Sequence, residues 1–120
     1  MEGKSFDEYA SDARPGVHEL APTEVIEMHR RGEDVVYLDV REPQEWNLFR
    51  IPGAVHVPLD TVGQRVVDVV PRDRRVVVYC ARGGRSLKAA DVMRGMGYAR
   101  VATLSGGIMG WVSAGGELEE

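Results

Sequence analysis

The sequence predicts an α/β fold built on a parallel sheet, and three observations carry that prediction. Val35-Val36-Tyr37-Leu38-Asp39-Val40 and Arg75-Val76-Val77-Val78-Tyr79 are near-continuous apolar runs, as expected of strands buried on both faces. Strand-like runs alternate along the chain with helix-like segments. The 120 residues, 43% hydrophobic and 28% charged, make one ordinary globular domain, large enough to build a core without a disulfide or a metal.

Residues 1–16 read as a polar lead-in with one loose helical turn and a turn at Arg14-Pro15-Gly16. Val17–Leu20 alternates and reads as a short strand. Pro22 suits the first turn of a helix, with Glu24 near the positive end of its dipole. Val25, Ile26 and one of Met28 and His29 form its inner face, and Gly32 ends it. The first strong strand, within Val35–Val40, closes on the carboxylate of Asp39. Pro43–Asn47 reads as one short helix. Ile51-Pro52-Gly53 is a turn before a short strand at Ala54–Val57, which Pro58 stops. Thr61–Val67 reads as a helix ending before Pro71.

The second strong strand, Arg75–Tyr79, runs straight into Cys80. Ser86 is the expected N-cap of a helix through Met96, with Ala89, Ala90, Met93 and Met96 inward and Gly97 as its stop. Arg100–Leu104 is the last strand. Ser105-Gly106-Gly107 turns into a short helix containing Trp111, and residues 115–120 form an acidic tail expected to be solvated. The domain itself spans 17–114.

Composition excludes several classes of function. Cys80 is the only cysteine, so an intrachain disulfide, a CxxC redox pair, a thiolate zinc cluster and an iron–sulfur site are ruled out. His18, His29 and His56 share no metal-like spacing, and no metal or other cofactor is expected. No stretch approaches the ~20 apolar residues of a membrane span, and the start lacks an apolar signal core, so no membrane partner is expected and the default compartment is the cytoplasm. The net charge of −4 argues against general nucleic-acid binding. The charge is uneven, however. Residues 1–60 carry 13 acidic and 6 basic side chains, whereas residues 72–100 carry 8 basic and 2 acidic. A basic segment in an acidic protein marks either a local anion site or simple balance across a sheet.

Ligands of open parallel sheets bind beyond the carboxyl ends of the strands, and Asp39 and Cys80 both stand at such ends. The loop after Cys80, Ala81-Arg82-Gly83-Gly84-Arg85, holds two glycines and two arginines and leads into a helix. Backbone N–H groups and the helix dipole converge there, and with the arginines they favour thiolate over thiol. A lone cysteine is more often a small buried apolar residue; the strand, glycine-rich loop and helix around this one favour a nucleophile.

These segments together resemble a single-domain rhodanese. Leu38-Asp39-Val40-Arg41-Glu42-Pro43-Gln44-Glu45-Trp46 is similar to the family's first signature and Arg50-Ile51-Pro52-Gly53-Ala54-Val55-His56-Val57-Pro58-Leu59 to its second. Val76–Ser86 resembles the active-site loop with its strand, and Leu104–Trp111 the close of the domain. The resemblance implies a rhodanese-like central parallel sheet of about five strands with helices on both faces. It also implies a ping-pong sulfurtransferase: Cys80 takes the outer sulfur of a small donor such as thiosulfate or a persulfide, and a thiol acceptor or sulfur-carrier protein removes it. It assigns catalysis to Cys80, substrate binding to Ala81, Arg82, Gly83, Gly84 and Arg85, and supporting roles to Asp39, Arg41 and Ser86. Arg85 would either steady the loop or meet the donor; Asp39 and Arg41 would be structural or substrate-facing.

One departure is Phe49-Arg50, where the family often has Gly-His. An Arg there is similar to rhodanese domains that accompany ubiquitin-activating-like adenylating enzymes and feed sulfur-carrier proteins; the alternative is a surface salt bridge. Trp46 and Trp111 read as core or rim packing, or as pocket lining. Two other functions share the fold. A cysteine phosphatase or arsenate reductase needs Cys-x5-Arg, but here Arg85 comes five residues after Cys80 and Ser86 six. A non-enzymatic binding module of this fold generally lacks the cysteine, which is present here.

Overall fold

The computed structural model describes residues 5–7 and 17–120. Most of the polar lead-in, including Arg14-Pro15-Gly16, therefore lies outside the described residues. The elements in chain order are β1 (His18–Leu20), α1 (Pro22–Arg30), β2 (Val36–Asp39), α2 (Pro43–Leu48), β3 (Val55–His56), a 3-10 turn (Leu59–Thr61), α3 (Val62–Val69), β4 (Val76–Tyr79), α4 (Gly84–Gly95), β5 (Val101–Leu104) and α5 (Gly107–Ser113). None of the described helices is long and apolar enough to cross a membrane.

Among the described residues five strands form one parallel sheet in the order β1-β5-β4-β2-β3. Val36 faces Val76 and Val76 faces Val101, so the two apolar runs seen in the sequence lie side by side in the middle of the sheet. Period-two alternation then divides the core in two. Tyr37, Val77 and Tyr79 pack under α1 and α5 with Leu20, Met28 and Trp111. Leu38, Val76, Val78 and Cys80 pack under α3 and α4 with Val66, Ala90 and Met93. Val76, Val77, Val78 and Tyr79 are all fully buried, and each such side chain stabilises the fold by roughly 1.5–3 kcal/mol relative to exposure. The cysteine is thus carried by an inner strand of the sheet.

Helix starts follow the local chemistry. Pro22 and Pro43 occupy the first helical turns of α1 and α2. Glu24 accepts the Ala21 N–H at 2.8 Å, and Glu45 accepts the Glu42 N–H at 3.0 Å. Both Met28 and His29 turn inward, Met28 fully and His29 half-buried. The segment after Pro58 differs from expectation. Thr61 does not begin an α-helix; its hydroxyl donates to the Pro58 carbonyl at 2.9 Å and closes a 3-10 turn, so α3 starts at Val62 and runs on to Val69.

The acidic tail is not simply solvated. Its side chains are exposed, but the backbones of Arg50 and Glu119 exchange hydrogen bonds at 2.9 and 2.8 Å in an antiparallel bridge. The indole N–H of Trp111 donates to the Glu117 carbonyl at 2.7 Å. Arg50 completes the clamp. Its Nε donates to Glu119 Oε2 at 2.9 Å, and its guanidinium lies 4.6 Å from the Trp46 ring, which stacks on His56. Of the two readings of Arg50, the structure displays the salt bridge.

Candidate active site

Cys80 follows β4 directly and is 1% exposed. The chain then turns through Gly83, whose φ of 115° lies in the left-handed region that favours glycine. This conformation aims the Gly83 N–H at the cysteine Sγ, 3.0 Å away. It also starts α4 three residues earlier than expected. The N-cap is Gly83, not Ser86. Ser86 instead sits buried in the first helical turn, where its hydroxyl donates to the Gly83 carbonyl at 3.0 Å and its Oγ lies 3.7 Å from Sγ. Burial by itself would push the Cys80 thiol up. The Ser86 N–H and hydroxyl and the N–H groups of Gly83 and Arg82 outweigh it, and the thiol is held below the ordinary cysteine range.

The loop is pinned from its other side by α5. Ile108 N–H donates to the Cys80 carbonyl at 2.9 Å and Met109 N–H to the Ala81 carbonyl at 3.1 Å. Such an approach requires glycine at 107. A Cβ there would stand 2.4 Å from the Ala81 carbonyl oxygen and 2.5 Å from that of Cys80, and its φ is 62°.

Asp39 and Arg41 are 0% and 2% exposed. Arg41 Nε and Nη2 grip the Asp39 carboxylate at 2.7–3.0 Å, and Nη2 also donates to the Phe49 carbonyl at 2.7 Å. His56 Nε2 donates to the Arg41 carbonyl at 2.8 Å. Both charges are spent within this buried network, which ties β2 to the segment before β3.

The two loop arginines part company. Arg82 is exposed and makes no ion pair among the described residues. Arg85 reaches back to α2, where Nη1 donates to Glu45 Oε1 at 2.7 Å and Nη2 to Oε2 at 3.0 Å. Chiefly through Arg85, and against partial burial, the Glu45 carboxyl is pulled down to about 2. Ala81 borders a depression of ≈ 220 Å³ whose other walls are Arg41, Glu45, Leu48, Phe49, Ile108 and Met109. A larger one of ≈ 400 Å³ lies at the amino-terminal end of the strands, between Arg72 and Arg100; it holds no nucleophile. The structure thus gathers Cys80 and residues 81–86 into one cradle and brings Arg41 to its edge. Glu45 was not singled out in the sequence. A carboxylate four residues after Arg41, in a segment bound to face the cysteine rim, was the available signal.

The fold is an α/β domain whose parallel sheet is covered on both faces and carries a buried thiol at the carboxyl end of an inner strand, wrapped by a glycine-rich loop. Residues 21–114 match the model of the rhodanese-like domain, and the chain belongs to that family. It is 40% identical over 83 residues to a protein named sulfurtransferase from Allochromatium vinosum, covering 69% of this chain and 77% of that protein. It is 34% identical over 71 residues to the thiosulfate sulfurtransferase PspE of Escherichia coli, covering 58% and 68%. Among solved structures, a Rhodopseudomonas palustris protein described as of unknown function and a possible tyrosine phosphatase superposes with a TM-score of 0.79 at 32% identity, covering 95% of this chain and 90% of that one.

Proposed function

We propose that this domain is a sulfurtransferase working through a persulfide on Cys80. The Cys80 thiolate attacks the outer sulfur of a donor such as thiosulfate. The donor S–S bond breaks, its electron pair leaves with sulfite, and Cys80 carries the transferred sulfur. A thiophilic acceptor, a small thiol or a thiol on a sulfur-carrier protein, then attacks the outer sulfur; the persulfide S–S bond breaks and its electron pair returns to Cys80 as thiolate. The balance requires no cofactor, and a reducing compartment such as the cytoplasm keeps the thiol available. In this reading the backbone of Ala81, Arg82, Gly83, Gly84 and Arg85 cradles the outer sulfur, while Ser86, Asp39 and Arg41 support the loop. The observation that carries the reading is the Gly83 N–H aimed at Sγ from 3.0 Å, a donor placed where thiolate and persulfide charge resides.

A phosphatase is less well supported. Arg85 comes one position too early for a Cys-x5-Arg clamp, and both of its terminal nitrogens are taken by Glu45. Mass spectrometry of the intact chain decides between the two. Thiosulfate should add one sulfur to Cys80, and a thiol or cyanide should remove it. An unmodified Cys80 in a chain that hydrolyses aryl phosphates through that residue would replace this reading with the phosphatase.

A further inference from the structure

The charges around the cysteine loop cancel almost completely. Arg41 is neutralised by Asp39, with which it shares three side-chain hydrogen bonds. Arg85 is neutralised by Glu45 through two. Arg82 remains as the loop cation without an ion pair among the described residues. Glu45 is a firm mask, because its Oε1 also accepts the Glu42 N–H at 3.0 Å. The carboxylate is held by its own helix end as well as by the arginine, in a planar bidentate geometry that favours persistence over exchange.

We propose that Glu45 is a specificity-determining residue of this site: by occupying both terminal nitrogens of Arg85 it withholds that charge from the incoming donor, so the site favours sulfane-sulfur donors bearing a single charge over dianions such as thiosulfate. The proposal rests on the sulfur-transfer reading above. Arg85 lies near enough to the sulfur for the two charges to interact. Its cationic charge, once unmasked, would attract a second negative charge on the donor.

Thiosulfate and methanethiosulfonate test this cleanly. The two anions have similar size and give up the same outer sulfur to the Cys80 thiolate. The S–S bond breaks in each, and the electron pair leaves on sulfite from the dianion or on methanesulfinate from the monoanion. The quantity to measure is the ratio of kcat/KM for thiosulfate to that for methanethiosulfonate. Glu45→Gln keeps an oxygen for the Glu42 N–H and removes only the charge. It should raise the ratio about fivefold, mainly through a lower KM for thiosulfate. The double variant Glu45→Gln with Arg85→Gln, which removes both charges, should return the ratio to the wild-type value. An unchanged ratio in Glu45→Gln would overturn the proposal, as would a double variant whose ratio departs from wild type as far as the single variant does. The double variant also decides the matter alone if the single one fails to fold: a ratio at least about fivefold below wild type would mean that Arg85 is already felt by the donor. These outcomes leave the sulfur-transfer reading standing. That reading fails separately, if neither donor places a sulfur on Cys80 of the wild-type chain.

Discussion

The backbone N–H of Ile108 donates to the carbonyl of Cys80 at 2.9 Å. The helix that closes the domain therefore grips the residue that would do its chemistry, from the side opposite the Sγ cradle. Gly107 makes the grip possible, and its replacement is the first test.

Gly107→Ala should destabilise the fold by at least about 2 kcal/mol, from the left-handed backbone and from the displaced loop carbonyls. Gly63→Ala is the control. Gly63 lies inside α3, and an added Cβ meets nothing within 4 Å, so the change should stabilise by up to about 1 kcal/mol. Urea unfolding of both variants reads the contrast. Equal midpoints would show that the loop and α5 are not in close contact.

Cys80 should alkylate with a pH midpoint below that of a free cysteine, because Gly83 and Ser86 favour its thiolate. Ser86→Ala removes the hydroxyl and should move the midpoint up. The linkage sign follows. A folded pKa below the unfolded one contributes stability that is fully present above the unfolded value of about 8.5 and is lost as pH falls through the folded value. Wild type should therefore gain stability over Cys80→Ser as pH rises from the lowered folded value toward the unfolded one. A Ser86→Ala midpoint equal to wild type would remove the hydroxyl from the account.

Asp39→Asn leaves the Arg41 guanidinium charged, buried and short of its partner. The expected cost is about 3–5 kcal/mol, since an uncompensated buried charge is far more costly than a lost surface pair. Adding Arg41→Gln should recover much of it. A loss below about 1 kcal/mol in Asp39→Asn would mean that water reaches the pair.

Arg82 is the loop cation available to a donor anion. Arg82→Ala should raise the KM for thiosulfate several-fold while changing turnover little. The salt dependence of kcat/KM seen in wild type should flatten in the variant. A variant that behaves like wild type at low salt would exclude steering by this side chain.

Much of this architecture was legible in the sequence for a physical reason. Strands buried on both faces cannot hide: Val76-Val77-Val78 must be apolar throughout, and a cysteine directly beyond such a run must lie at the strand's carboxyl end. What escaped depends on distant partners. Arg85 and Glu45 stand forty positions apart, and no local pattern says that the arginine turns to α2 rather than to a ligand. Ser86 was misplaced because a serine before an apolar-periodic stretch resembles an N-cap. The left-handed turn at Gly83 moved the helix start ahead of it. Glu119 reads as part of a free acidic end because its partner Arg50, bound to it by a backbone bridge and an ion pair, stands 69 positions away.

The order of the strands has a bearing on how the protein is made. His18 in β1 pairs with Ala102 in β5, so the first strand waits for most of the chain to emerge before it finds its neighbour. The helix that grips the cysteine carbonyl comes later still. A nascent chain with β2, β3 and β4 already paired would carry Cys80 on a loop that nothing yet holds from the α5 side, and such long-range contacts form late. In that order of assembly the Cys80 and Ala81 carbonyls gain their donors from Ile108 and Met109 only after β5 has taken its place beside β4.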